Sequence, residues 1–400
     1  MSCRALLTLP RISQIGHQYR LDCEKCPGIA QHCSGVPSAI GGVMRPRTLS
    51  LDPSEAAALL LRTHGIATTA PLQPLGSELA STFHAHGILP GGAPAELAVK
   101  IQASDSDETA VQRWRAEIAQ RLADAGAPVP ATVPAQDGTL LGSEARRDSE
   151  PGGSEERVAV TVTRWIPATP YGALRAGMSG PDLNTTAFGF ALGAEAARMQ
   201  QTLAAAPPPP RAITHTWAAE TMDAVIQAHL PDVTSPRVRR IAAAARALLA
   251  REVAPQAARL PRALVHQDLH DSNVLADSAG RVAAILDFDD MLVGWRVAEP
   301  SIAAAYLARH AADPAAAVAA LAAGWESILP FTPAERAVFQ PLVLARLALN
   351  ITVWHVRLGH DTAGSADGDR ADYAELRSTG SEQTFDDLCH AWGVAEGASA

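Results

Sequence analysis

"LVHQDLHDSNVLADSAGRVAAILDFDD", Leu264–Asp290, packs His266, Asp268, His270, Asp271, Asn273 and Asp287 between apolar runs that read as buried strands. A buried carboxylate costs free energy unless a cation, a proton or a hydrogen-bond donor satisfies it. "ALVH" and "NVLA" read as short strand segments, "DSAG" as a turn and "RVAAILDF" as a return strand. If Ala276 faces Arg281 across that turn, Asn273 lies opposite Ala284. Asp287 then follows at the open end of the hairpin, and Asp268 sits in the loop feeding that end. The spacing gathers two carboxylates and one amide.

Such a set suits phosphoryl transfer. Mg²⁺ prefers carboxylate, amide and phosphate oxygens. A further carboxylate, not bound to the metal, can orient a substrate hydroxyl and accept its proton. His266, Asp268 and Asn273 match the H-x-D-x-x-x-x-N part of the kinase signature. Asp287-Phe288-Asp289 stands where D-F-G is expected, with Asp289 in place of the glycine.

The upstream sequence supplies the other parts in order. In the strand "ELAVKIQA", Leu97, Val99 and Ile101 face one way, and Ala98, Lys100 and Gln102 the other. A helix over 107–125 carries Val111, Trp114, Ile118 and Leu122 on one stripe, with Glu117 beside it. "LGSELAST" (75–82) offers Gly76 and Ser77 as a phosphate-covering turn with one glycine instead of three. "RVAVTVTRWIP" follows as a hinge strand. This series predicts an α+β, bilobal protein-kinase-like fold, with a small antiparallel-sheet N-lobe and a mostly helical C-lobe. Residues 49–165 form the expected N-lobe, with a polar, flexible loop at 136–156. Residues 166–392 form the expected C-lobe, and 393–400 a tail.

An apolar helical run begins by Glu299–Ser301, about ten residues after Asp289. That leaves no room for a protein kinase's activation loop. The helical stretch between hinge and catalytic loop (168–262) is long. Both features favour a small-molecule kinase. The chain here resembles the aminoglycoside phosphotransferase/choline kinase family over about residues 54–390. "APVP", "VTVTRWIPA", "HQDLHDSNVL" and "ILDFDD" carry that resemblance. "ILDFDDMLVGWRVAEPSIAAAYLA" and "LVLARLALNITVWHVRL" are most similar to the hydroxylysine-kinase-like branch.

The resemblance implies ATP and Mg²⁺ as cofactors, with nucleotide in a cleft and a small-molecule hydroxyl as acceptor. It implies Asp268 as catalytic base, His266 as the brace of its loop, and Asn273 and Asp287 as Mg²⁺ ligands. Lys100, held by Glu117, would meet the α/β-phosphates, and backbone groups of Arg164 and Ile166 would meet adenine. Asp289, Asp290 and Glu299 are candidate acids for an amine-bearing acceptor: a hydroxylated amino acid, an amino alcohol or an aminoglycoside. Two alternatives stand beside this reading. One is a nucleotide-binding homologue that no longer catalyses. The other is a metal-dependent hydrolase using His266, Asp268 and His270 on one face of an extended strand.

Composition agrees with a helix-rich enzyme. Of 400 residues 47% are hydrophobic, enough for a sizeable core. Lys and Arg number 33 against 42 Asp and Glu, a net charge of −9 with no basic block, which argues against nucleic acid as partner. The sequence shows no run of 18 apolar residues, so no membrane association is expected. The start, "MSCRALLTLPRISQIG", lacks a signal-peptide core, and the expected location is the cytoplasm. Cys23, Cys26, His32 and Cys33 cluster near the N-terminus, but adjacent His32 and Cys33 fit zinc-site spacing poorly. Residues 1–48 are expected to be a leader outside the fold, with Met44 as a natural start.

Overall fold

The computed structural model describes residues 49–75, 80–147, 155–174, 183–361 and 380–394. The expected leader with its cysteines, Gly76 and Ser77 of the turn, and tail residues 395–400 lie outside the described residues. The chain divides into two compact units. One takes the chain up to Thr109 plus Thr132–Trp165, and the other takes Ala110–Ala131 plus the chain from Ile166 on.

In the first unit, helix α1 spans Pro53–His64. Asp52 Oδ1 accepts from the backbone N–H groups of Ser54 (2.7 Å) and Glu55 (3.0 Å), and Gly65 at φ 66° ends the helix. Six antiparallel strands follow: β1 (Ala67–Thr68), β2 (Gln73–Leu75), β3 (Ser81–Ile88), β4 (Pro94–Ser104), β5 (Gly142–Arg147) and β6 (Glu155–Arg164). Their order is β1-β3-β4-β6-β5, with β2 also paired to β3. Alternation decides the faces. Phe83, Leu97, Val99, Ile101, Val158, Val160 and Val162 are buried with Leu60 and Ile66 in one core. Lys100, opposite Thr82 on β3 and Thr161 on β6, lies on the other face. The loop expected over 136–156 is interrupted. Residues 142–147 form β5, because Gly142–Arg147 pair along β6 from Val160 to Glu155. A polar composition misled there: an outer strand can expose charged side chains while its backbone is paired.

Helix α2 (Ser106–Asp124) starts in the first unit, but from Ala110 onward it belongs to the second, unlike the sequence expectation. Trp114, Ile118 and Leu122 are buried in the second unit's core, and Trp114 Nε1 donates to Pro207 O at 3.0 Å. The second unit continues with β7 (Thr169–Pro170), α3 (Thr185–Leu203), α4 (Met222–His229), α5 (Pro236–Leu248), β8 (Arg262–Val265), β9 (Val274–Ala276), β10 (Val282–Ile285) and β11 (Leu292–Trp295). It ends with α6 (Ala298–Ala308), α7 (Pro314–Glu326), α8 (Pro333–Asp361) and α9 (Ser381–Trp392). Strand β11 pairs antiparallel with β8, from Leu292↔Val265 to Trp295↔Arg262. Residues Pro333–Gly359 are apolar and long enough to cross a membrane, yet 83% of the segment's most apolar 18-residue window is buried inside the protein. It is the core helix of this unit.

Helices α3 and α7 meet backbone to backbone. A Cβ built at Gly324 would stand 1.9 Å from Phe190 O, and one at Gly193 2.1 Å from Leu321 O. Gly324→Ala is therefore expected to destabilise the protein by about 1–3 kcal/mol through forced separation of the helices. Gly359→Ala, also in a helix but with nothing within 4 Å of its Cβ, should be neutral or stabilising. Urea-unfolding midpoints of the two variants check this; equal midpoints would contradict the close approach.

Candidate active site

The loop after β8 and the loop after β10 form one unit. His266 is fully buried. Its Nδ1 accepts from Asp268 N at 3.3 Å, so the neutral ring carries its proton on Nε2, which faces Leu286 O at 2.9 Å. Burial, chiefly, pushes His266 below its ordinary pKa, and so keeps the ring neutral. Leu286 N in turn donates to Asn273 O at 2.8 Å. The two strands β9 and β10 pair Val282↔Ala276 and then, after an irregularity, Ala284↔Leu275. Asn273 thus meets Leu286, not Ala284 as the sequence register suggested. The shift keeps Asn273 and Asp287 at the same end. Asp277 shapes the turn by accepting from Ala279 N and Arg281 N, both at 2.9 Å.

Among the described residues, only Gln267 (φ 74°) and Asp287 (φ 62°) are non-glycine residues in the left-handed region. Each such residue stores on the order of 1–3 kcal/mol and persists only where neighbours over-determine it. Gln267 is pinned on both sides. Its N–H donates to Glu299 Oε2 (3.1 Å) and its Nε2 to Trp217 O (3.1 Å).

Asp268 is held from three directions. Asn273 Nδ2 donates to its Oδ2 at 2.9 Å, and His270 Nε2 lies 3.2 Å from the same oxygen. Arg346 Nη2, from α8, reaches Oδ1 at 3.4 Å. Ser272 N donates to His270 Nδ1 at 3.0 Å, which puts the neutral ring's proton on Nε2, towards Asp268. Burial pushes Asp268 up, but His270, Arg346 and His266 outweigh it and hold the carboxyl below the usual range. Arg346 is 2% exposed, donates to Trp217 O at 2.9 Å, and lies over the rings of Trp217 (5.1 Å) and Tyr306 (5.4 Å).

Asp271 is buried and serves the scaffold. His310 Nε2 (2.7 Å) and Arg309 Nη1 (3.3 Å) converge on its Oδ2, and its backbone oxygen accepts from Gly172 N at 3.0 Å. Asp287 is exposed, and Asp289 and Asp290 are half-buried. Burial first, then the charges of Asp268, Asp287 and Asp289, push Asp290 up to about 7. His215 Nε2 lies 3.2 Å from Asp290 Oδ1, and burial pushes that ring down to about 4. Carboxylates gathered in one region favour a bound cation. The donors fit Mg²⁺. Asn273 spends its Nδ2 on Asp268, which leaves its Oδ1, and Asp287 offers a carboxylate at the exposed end.

Several expected residues stand differently. Glu299 is 4% exposed and accepts from the Gln267 backbone, so its carboxylate supports the loop instead of facing an acceptor. Glu117 is exposed on α2, and an exposed glutamate is a weak anchor for a lysine. Glu108, half-buried in the first unit with Lys100, is the better-enclosed acid on that helix. Arg164 closes β6 opposite Leu97, and Ile166 O accepts from Ala168 N at 2.8 Å. The hydrolase alternative fails on geometry. Residues 266–270 do not form a strand, and both His266 nitrogens are spent on backbone groups. Sequence reading missed Arg346, His270 and His215 as partners of these acids. The D-x-H spacing was a signal for His270; for the other two only the folded chain brings them near.

The comparisons with known proteins now have a geometry to stand on. The model of the phosphotransferase enzyme family matches residues 76–339. The chain is similar to the hydroxylysine kinase of Bos taurus, 26% identical over 320 residues, which are 76% of this chain and 82% of that protein. Among solved structures, a microcompartment-associated aminopropanol kinase superposes with a TM-score of 0.60 at 18% identity, covering 86% of this chain and all of that one (100%). Amicoumacin kinase hAmiN, solved in complex with AMP-PNP, Ca²⁺ and Ami, gives 0.57 at 17% identity, covering 84% and 97%. These likenesses show a bilobal, protein-kinase-like α+β fold, and the protein is a small-molecule kinase. The chain belongs to the phosphotransferase enzyme family.

Burial, above all, pushes Glu299 from 4.5 up to about 7, against the N–H groups of Gln267 and His266. A carboxyl whose folded pKa is raised costs no stability below about pH 4.5, where it is protonated folded and unfolded. The cost grows as pH rises to about 7 and is complete above, on the order of 3 kcal/mol. Glu299→Gln keeps an acceptor oxygen without the charge. Its stability relative to wild type should therefore rise between pH 4.5 and pH 7. Urea unfolding at pH 5 and pH 8 checks this; a pH-independent difference would overturn it.

Proposed function

We propose that the protein transfers the γ-phosphoryl group of ATP to a hydroxyl of a small, amine-bearing molecule. The observation that carries this reading is the joined pair of loops that presents Asp268, Asn273 and Asp287 together. ATP with Mg²⁺ would supply the phosphoryl donor and neutralise the charge that develops on its oxygens. Asn273 Oδ1 and Asp287 would hold the ion, and Lys100 would hold the nucleotide phosphates. Asp268 would accept a hydrogen bond from the acceptor hydroxyl and take its proton as the new P–O bond forms. A carboxylate held below its usual range is a weak base. It therefore orients the hydroxyl early and takes the proton late, which suits a loose phosphoryl-transfer transition state.

Asp289 and Asp290 favour an ammonium group on the acceptor, which would also keep Asp290 ionised. Similarity to the hydroxylysine kinase of Bos taurus supports hydroxylated amino acids as the first class to test, ahead of amino alcohols and aminoglycosides. The proposed use of ATP as donor supports a cytoplasmic location.

ADP release from ATP·Mg²⁺ against a panel of these three classes tests the reading. Asp268→Asn should lower turnover by roughly 10²–10⁴-fold while largely sparing ATP binding. Asp287→Ala should lose Mg²⁺-dependent nucleotide binding. A folded protein that releases no acceptor-dependent ADP, or an Asp268→Asn variant at near wild-type rate, would overturn the proposal.

A further inference from the structure

The strand-rich unit holds a second constellation, unrelated in chemistry to the carboxylate loops. His84 and His86 lie two residues apart on β3, so alternation puts both on one face. Glu96 on β4 stands directly opposite His86. The hairpin joining the strands fixes this register, with Leu89 N donating to Ala93 O (2.9 Å) and Gly92 N to Leu89 O (2.8 Å) at a left-handed glycine. One ligand atom from each of His84, His86 and Glu96 can be chosen so that all three lie within 4.8 Å of one another.

Two observations set this cluster apart from ordinary surface polarity. His84 Nε2 is buried. It lies 3.4 Å from Glu96 Oε2. Ligands about 2.0–2.1 Å from a tetrahedral zinc ion stand roughly 3.4 Å apart, so this pair already spans one edge of a zinc tetrahedron. The His84 ring is also held in place, stacked on Trp165 at 4.0 Å with planes 28° apart.

We propose that His84, His86 and Glu96 form a transition-metal site for Zn²⁺, with solvent completing the coordination at the exposed Glu96 side. Two imidazoles and one carboxylate select Zn²⁺ over Mg²⁺, so the site is chemically separate from the Asn273–Asp287 oxygen set. An ion there would clamp β3 to β4. Closing His86 onto the ion requires only a side-chain adjustment, because backbone register already aligns the three residues.

The test is Zn²⁺ titration of the full-length protein against a chromophoric chelator, with Co²⁺ absorption as a spectroscopic probe. The protein carries Cys3, Cys23, Cys26, Cys33 and Cys389, so a Cys→Ser background at all five removes competing thiolates. One equivalent of Zn²⁺ should remain bound in that background. Co²⁺ should show ligand-field bands of a nitrogen–oxygen set without thiolate charge transfer. His86→Ala and Glu96→Gln should each weaken Zn²⁺ by roughly 10-fold or more. Circular dichroism confirms that these two variants fold. Asp268→Asn/Asp287→Ala should leave Zn²⁺ affinity unchanged, which separates this result from the fate of the kinase reading. Failure of the Cys-free protein to bind one equivalent, or binding indifferent to both His86→Ala and Glu96→Gln, would overturn the site.

Discussion

One buried imidazole holds the candidate active site together. His266 can make its two hydrogen bonds, one accepted from Asp268 N and one donated to Leu286 O, only as a neutral ring. Burial guarantees that state. The ring thereby ties the loop bearing Asp268 to the residue before Asp287. The reciprocal bond from Leu286 N to Asn273 O closes the strap. Phe288 adds an edge contact at 4.6 Å between ring centroids, so the strap is packed as well as bonded. Two left-handed non-glycine residues can persist on either side because so many bonds converge here.

The charges around that strap fall into two kinds. Some carboxylates are spent on the scaffold. Asp271 is saturated by His310 and Arg309, and Glu299 supports the Gln267 backbone. Others are left with excess negative potential. Asp287, Asp289 and Asp290 share a region in which Asp290 is pushed up to about 7. The scaffold pair, Asp271 and Glu299, is stabilised by fixed protein donors, whereas the proposed cation would meet the carboxylates beside Asp287. The division falls along burial, with Asp271 and Glu299 buried and Asp287 exposed.

Much of this was legible in the sequence, and the reasons are local. His266, Asp268, Asn273 and Asp287 sit in one hairpin, where strand periodicity and turn chemistry limit the geometry. What was misread depends on distant contacts. Strand β5 looked like loop because its polar side chains hide a paired backbone. Glu117 matched a motif by order and spacing, yet its rotation around α2 leaves it exposed. Glu299 was picked as an acid facing a ligand, and no local signal marked it as a buried acceptor for Gln267 N.

Arg346 shows what such distant contacts add. It sits in the middle of a long apolar helix, where an arginine is costly unless its charge is matched. Its match is the carboxylate of Asp268, with the Trp217 carbonyl and the faces of Trp217 and Tyr306 completing its surroundings. The same Trp217 carbonyl accepts from Gln267 Nε2, so the arginine and the catalytic loop share an anchor. The arrangement has a chemical consequence. With His270 contributing more, the guanidinium helps hold the Asp268 carboxyl below its usual range, which keeps it ionised and lowers its strength as a base. Phosphoryl transfer tolerates this, because the hydroxyl need not be deprotonated before its bond to phosphorus forms. A reaction that needed full proton abstraction first would be poorly served by the same pair. The buried arginine thus stabilises the loop and fits the chemistry proposed for it through one contact.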